Sequence, residues 1–136
     1  MTKRSGFLSA ALLVFAIGGA HGALAAVKLT GAQETPPVTT DATGTASIKV
    51  SSDKTVTGHI KTKGIDGTMA HVHMGAPGQS GPPIITLTKA SANEWKIPPD
   101  SKLSDDQYAA YKAGNLYVNV HSDAHKPGEI RAQLTP

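Results

Sequence analysis

Two histidines sit one residue apart in Ala70-His71-Val72-His73-Met74. The segment reads as a strand, and strand side chains alternate faces. His71 and His73 therefore point one way, and Ala70, Val72 and Met74 the other. Two imidazoles on one face are half of a metal site. Further along, Tyr117-Val118-Asn119-Val120-His121 reads the same way, and His125 follows shortly after. Val118 and Val120 belong on the core side, which puts His121 on the opposite face with Tyr117 and Asn119. If these strands are antiparallel neighbours, about 4.8 Å apart, three imidazoles converge at a sheet end where loops can cover them. His125 would be a fourth ligand there.

Imidazole suits zinc, copper, nickel and iron. In an oxidising compartment copper is the expected metal, because Cu(II) heads the affinity series for nitrogen ligands; zinc comes second. Met69 and Met74 offer soft thioethers that would suit Cu(I), although Met74 has core parity and fits a core filler better. The alternative for His71 and His73 is a pair of surface or hydrogen-bonding histidines. The histidines at the end of the second strand weigh against it. His59 shares the parity of Lys61, opposite Ile60, and belongs on a solvated strand face. Asp123 reads as a turn residue, with orientation of an imidazole as its other possible role. Glu129 and Arg131 share a strand face, and Glu34 can join them in a partly buried ion pair; a ligand role for Glu129 is a lesser expectation.

Residues 1–25 have the form of a secretory signal peptide. Lys3 and Arg4 supply a positive start, Phe7 to Gly18 is an apolar run short of the roughly 20 residues a membrane span needs, and Ala23-Leu24-Ala25 is a small-x-small cleavage site. The mature chain, residues 26–136, is expected in the periplasm or outside the cell, without stable membrane insertion. It has no cysteine, which excludes disulfides, thiolate ligands and a nucleophilic thiol. Without Lys3 and Arg4, 11 basic residues face 10 acidic ones, a net charge of +1. No basic stripe interleaved with aromatics is present, so a nucleic-acid partner is not expected. No Ser-His-Asp order or carboxylate pair stands out, and a nucleophile with an orienting base cannot be named. The chain is not expected to be an enzyme.

The elements that must position these residues are short. Val27 to Thr30, Ala42 to Val50, Thr55 to Lys63, Thr68 to Met74, Ile84 to Leu87, Asn115 to His121 and Glu129 to Leu134 read as strands. Gly75 to Pro83, with three glycines and three prolines, is a loop. Ser91 to Pro99 reads as irregular, anchored by Trp95. Ser104 and Gln107 form a capping box for a short helix that Gly114 ends. Six or seven strands, regular turns and one short helix predict an all-β fold, an antiparallel Greek-key sandwich or barrel, as a single domain.

Four pieces in order resemble a known family, the CHRD domain first named from chordin. They are Leu29 to Val38 (LTGAQETPPV), Ala70 to Gly75 (AHVHMG), Gly114 to Ser122 (GNLYVNVHS) and Gly128 to Leu134 (GEIRAQL). The resemblance covers essentially all of residues 26–136. It implies an exported β-sandwich with no established enzymatic activity. His71, His73 and His121 fall where the family pattern has histidine. His125 stands where it usually has Asn, and Ala132 where it usually has Gly. A looser likeness to Cu/Zn superoxide dismutase, with its His-Val-His strand in a Greek-key barrel, points to copper on His71, His73 and His121. It does not extend to dismutation, because Gly75 to Gly114 contains no histidine and the chain has no cysteine. The expected function is therefore an exported copper-binding protein for storage, delivery or resistance. The alternative is a metal-independent interaction or structural module of the cell envelope, its protein partner unknown.

Overall fold

The computed structural model describes residues 26–136; the expected signal peptide lies outside the described residues. Nine strands form one antiparallel sheet: β1 (Val27–Thr30), β2 (Thr43–Val50), β3 (Val56–Lys63), β4 (Gly67–Met74), β5 (Pro83–Thr86), β6 (Thr88–Ser91), β7 (Glu94–Lys96), β8 (Leu116–Ser122) and β9 (Ile130–Gln133). Their order across the sheet is β5-β4-β8-β9-β1-β2-β3-β7-β6. The chain leaves β3 on one side and enters β4 on the other, a Greek-key crossing, while the first and last strands pair at the centre.

The sheet curls until its two ends share one segment. Residues 83–86 run along β4 and residues 88–91 along β7, with Leu87 between them. The Leu87 N–H donates to the Ala70 carbonyl at 2.9 Å, and Lys89 Nζ donates to the Gly67 carbonyl at 2.7 Å. The result is a nearly closed barrel, which leaves little free strand edge to recruit other chains.

The interior follows the alternation in the sequence. Ala46, Val56, Ile60, Ala70, Val72, Leu116, Val118, Val120 and Ile130 are all buried in one core, together with Trp95. Trp95 fills the barrel against Gly67, where a Cβ would lie 3.1 Å from the indole. The segment Ser91 to Pro99, expected to be irregular, instead carries the end of β6 and all of β7, which pair as a hairpin. Its strands are short and polar, so no period-2 pattern betrays them; burial of one tryptophan fixes their place. Helix α1 (Asp105–Lys112) begins on the Ser104–Gln107 capping box and stops before Gly114, at φ 78°.

Gly58 also has a positive φ, 132°, in the middle of β3. A Cβ there would meet the Ser47 carbonyl oxygen at 2.0 Å, which is backbone and cannot step aside. Gly58→Ala combines backbone strain with that clash and is expected to cost about 2–3 kcal/mol. Urea unfolding of the mature protein reads this as a lower midpoint at unchanged slope.

Candidate metal centre

β4 and β8 are neighbours, as the convergence of the histidines requires. In their register His71 faces Asn119, His73 faces Tyr117 and Met69 faces His121. His71 and His121 thus meet on the diagonal, within reach for long side chains. His71 Nδ1 lies 3.0 Å from His121 Nε2. Ring centroids are 5.4 Å apart for His71 and His73, and 6.0 Å for His73 and His121. One nitrogen from each of the three rings falls within 4.8 Å of the others.

Most of this face is covered, with Met69 and part of His71 left at its solvent edge. All seven residues of β8 are buried, so polar and apolar sides alike are covered. The loop of residues 75–82 lies flat on Tyr117. Gly75 and Gly81 permit this: a Cβ on Gly75 would meet the tyrosine ring at 2.9 Å, and one on Gly81 the Met74 carbonyl oxygen at 1.7 Å. The Gly81 N–H donates to the Tyr117 hydroxyl at 3.1 Å. On the other flank, the turn after β8 folds back so that the Lys126 carbonyl meets His121.

Those two loops set the tautomers. His73 Nδ1 lies 2.8 Å from the Gly81 carbonyl oxygen, and His121 Nδ1 lies 2.7 Å from that of Lys126. A carbonyl only accepts, so in both rings Nδ1 carries a proton, and in the neutral form of each ring the lone pair is left on Nε2. His121 Nε2 faces His71. His73 Nε2 is buried with no hydrogen-bond partner. A buried polar atom without a partner costs about 1–3 kcal/mol, and a cation is the partner that a converging set of imidazole lone pairs satisfies. Backbone carbonyls behind the imidazoles are also the supports that metal-binding histidines use. The residues therefore fit a metal ion, with three imidazole nitrogen donors.

Charge around the centre points the same way. Burial holds His71 below the ordinary histidine range, and the neighbouring His121 and His73 push it further down. Burial also lowers His73, against the pull of the Gly81 carbonyl and of the Asn119 side chain beside it. Both rings are thus neutral at pH 7, as ligands must be. The sign for stability follows: below about pH 6.5 the unfolded chain takes up protons that these two folded rings resist, so their contribution falls as pH falls.

Behind the histidines lies a second buried layer. Tyr117 stacks on His73 with centroids 4.7 Å apart, and the Arg131 guanidinium sits 3.5 Å from the tyrosine centroid. Arg131 is 2% exposed and donates to the carbonyls of Gln79 (2.8 Å) and Ala76 (3.0 Å) and to the side chains of Thr35 and Gln133. The expected Glu34–Arg131–Glu129 cluster does not close into ion pairs: the one salt bridge among the described residues joins Lys54 and Asp105. Glu129 is instead held by Thr40 (2.8 Å) and Ser122 (2.7 Å).

Glu34 is buried, and its Oε1 has no hydrogen-bond partner. Burial raises its carboxyl to about 7, against the opposing pull of Arg131 and contacts with Asn119 and Thr35. Its stabilising contribution is complete below about pH 4.5 and is lost as pH rises through 7. Glu34→Gln, which mimics the neutral acid, is expected to leave stability at pH 5 nearly unchanged. At pH 8 it should raise stability by about 1 kcal/mol, a figure discounted for the water that still reaches the group. Melting curves at the two pH values check the difference.

His125 lies apart from the three converging rings. It lines a cleft of about 420 Å³ with Glu34, Pro36, Pro127 and Gly128. Its backbone N–H donates to Ser122, and it serves the turn that carries Lys126. His59 pairs across the sheet with Ser47 and Lys96, away from the centre. Asp123 lines a separate cleft with Asp66 and Glu129. The imidazoles are oriented by backbone carbonyls, not by that carboxylate. Met74 packs against the core as filler, whereas Met69 stays 50% exposed on the histidine face.

The carbonyls of Gly81 and Lys126 and the Arg131–Tyr117 stack were not foreseen from the sequence. A carbonyl has no residue-type signature; the glycine-rich loop was the one available hint that backbone presses close there.

The comparisons with known proteins agree with this architecture at the level of family. The CHRD domain model matches residues 25–134. No curated protein and no solved structure matches the chain.

Proposed function

The chain belongs to the CHRD domain family, and on that footing we propose that it is an exported copper-binding protein, serving storage, delivery or resistance. The observation that carries the reading is the pair of preset Nε2 lone pairs on His73 and His121, one of them buried without a partner, beside His71. Nε2 of His73, Nε2 of His121 and a ring nitrogen of His71 would hold the ion. The three nitrogen donors and the expected export favour copper over zinc. The reading is of a binding protein and not an enzyme, since no nucleophile with an orienting base can be named at the centre.

Titrating chelator-treated mature protein with copper tests this. One equivalent should bind and raise the melting temperature, because an ion that binds only the folded state stabilises it by mass action: about 2.7 kcal/mol at 100-fold excess over Kd. Absence of any melting shift at excess copper would discard the reading. Binding should survive to a pH below the ordinary histidine value of about 6.5 and then fall steeply, as His71 and His73 accept protons only reluctantly.

A metal-independent envelope module is the second reading. It draws on the same Nδ1–H bonds to Gly81 and Lys126, which purely structural histidines would also make. A protein partner retained after His71→Ala with His73→Ala, by a protein that ignores copper, would favour it.

A further inference from the structure

Resting on the copper reading, we propose that the centre is built for the monovalent ion, Cu(I), with Met69 as its fourth and exchangeable ligand at the solvent edge. Met69 faces His121 directly across the β4–β8 ladder and lies two residues before His71 on the same strand face. Directly opposed residues hold their Cβ atoms about 4.5–5.5 Å apart, well within the reach of a methionine side chain. Met69 is also the one large apolar side chain left exposed among the described residues. The other two ligands on that diagonal are buried or half-buried, so the thioether stands at the mouth of the centre and the imidazoles behind it.

The charge of the surroundings selects the oxidation state. The converging group holds three imidazoles and no carboxylate. Glu129 has both oxygens committed to Thr40 and Ser122. Behind His73 come Tyr117, in parallel stack at 4.7 Å, and then the buried Arg131 guanidinium, 3.5 Å from the tyrosine centroid. This positive charge two layers behind a ligand, offset in part by the Glu34 carboxyl beside Arg131, opposes a dication about twice as strongly as a monocation. The thioether is the soft donor of the set, and its addition to the borderline imidazoles favours Cu(I) over Cu(II). A single exposed thioether is the ligand an incoming soft donor displaces first, which gives the ion a way out without opening the loops over His73 and His121.

The test compares the mature protein with Met69→Leu, which conserves volume at an exposed position and leaves the barrel intact. Cu(I) affinity is read anaerobically by competition with a chromogenic Cu(I) chelator, and Cu(II) affinity by competition with glycine. Met69→Leu should weaken Cu(I) about tenfold or more and leave Cu(II) within about twofold. The copper potential should then fall by about 59 mV for each tenfold. Unchanged Cu(I) affinity, or equal losses for both ions, overturns the assignment of Met69. Wild-type protein that holds Cu(II) more tightly than Cu(I) overturns the preference. Failure to bind either ion would instead bring down the copper reading on which this inference rests.

Discussion

His71→Ala is expected to abolish stoichiometric copper binding and to leave the metal-free barrel standing. His71 is half-buried, and its ring makes one hydrogen bond within the protein, to His121 Nε2, besides edge-on contacts with His73 and His121. Losing that single bond should cost about 1 kcal/mol at most. Losing the ligand removes one of three converging nitrogens. Even a partner behind a ligand is worth about 10–100-fold in affinity, so loss of the ligand itself is expected to exceed 100-fold. Copper titration followed by thermal unfolding separates the two effects: the metal-free melting temperature stays within a few degrees of wild type, and the copper-induced rise disappears. A variant that binds copper as tightly as wild type would remove His71 from the site.

The second large effect concerns stability. Arg131→Met should destabilise the protein by about 3–5 kcal/mol, the usual cost of breaking a buried, hydrogen-bonded charged group out of its partners. Arg131 ties three elements at once. It reaches Thr35 near the first strand and Ala76 and Gln79 in the glycine-rich loop, and it covers Tyr117. Without it the two loop carbonyls lose their donor, and methionine supplies none. For a domain of this size the melting temperature is expected to fall on the order of 15 °C. Gly81 belongs to the same loop and orients His73, so copper affinity should drop with it, by about 10–100-fold. A fall in melting temperature of a degree or two would mean that the loop is held by its glycines and prolines alone.

These two residues also mark how far the sequence could be read. Val72, Val118 and Val120 alternate with His71, His73 and His121, and that period assigned the faces correctly: the valines are in the barrel and the imidazoles outside it. The adjacency of β4 and β8, separated by forty residues of chain, was an inference from the chemistry of their histidines; no local pattern encodes a cross-strand neighbour. Alternation also says which residues share a face and nothing about what lies over that face. The histidine side was expected at a sheet end that loops can cover; what the period could not show is that the cover is a packed polar layer with Arg131 at its base.

His125 shows the opposite failure. Its closeness in sequence to His121 suggested a fourth ligand, but the turn from Ser122 spends those residues on bringing the Lys126 carbonyl to His121 Nδ1. Chain proximity after a strand end carries no directional information, whereas parity within a strand does. The hairpin of β6 and β7 was missed for a related reason. Three or four exposed polar residues have no period to detect, and one buried tryptophan decides their conformation.

The most direct measurement is a crystal structure of the mature protein loaded with one equivalent of copper, with anomalous data collected at the copper edge. One peak is expected, bonded to Nε2 of His73, Nε2 of His121 and a ring nitrogen of His71, with metal–nitrogen distances of about 2.0 Å, as imidazole–metal bonds show. A peak at His125 or His59 instead, or fully loaded protein with no copper between the β4 and β8 histidines, would contradict the account.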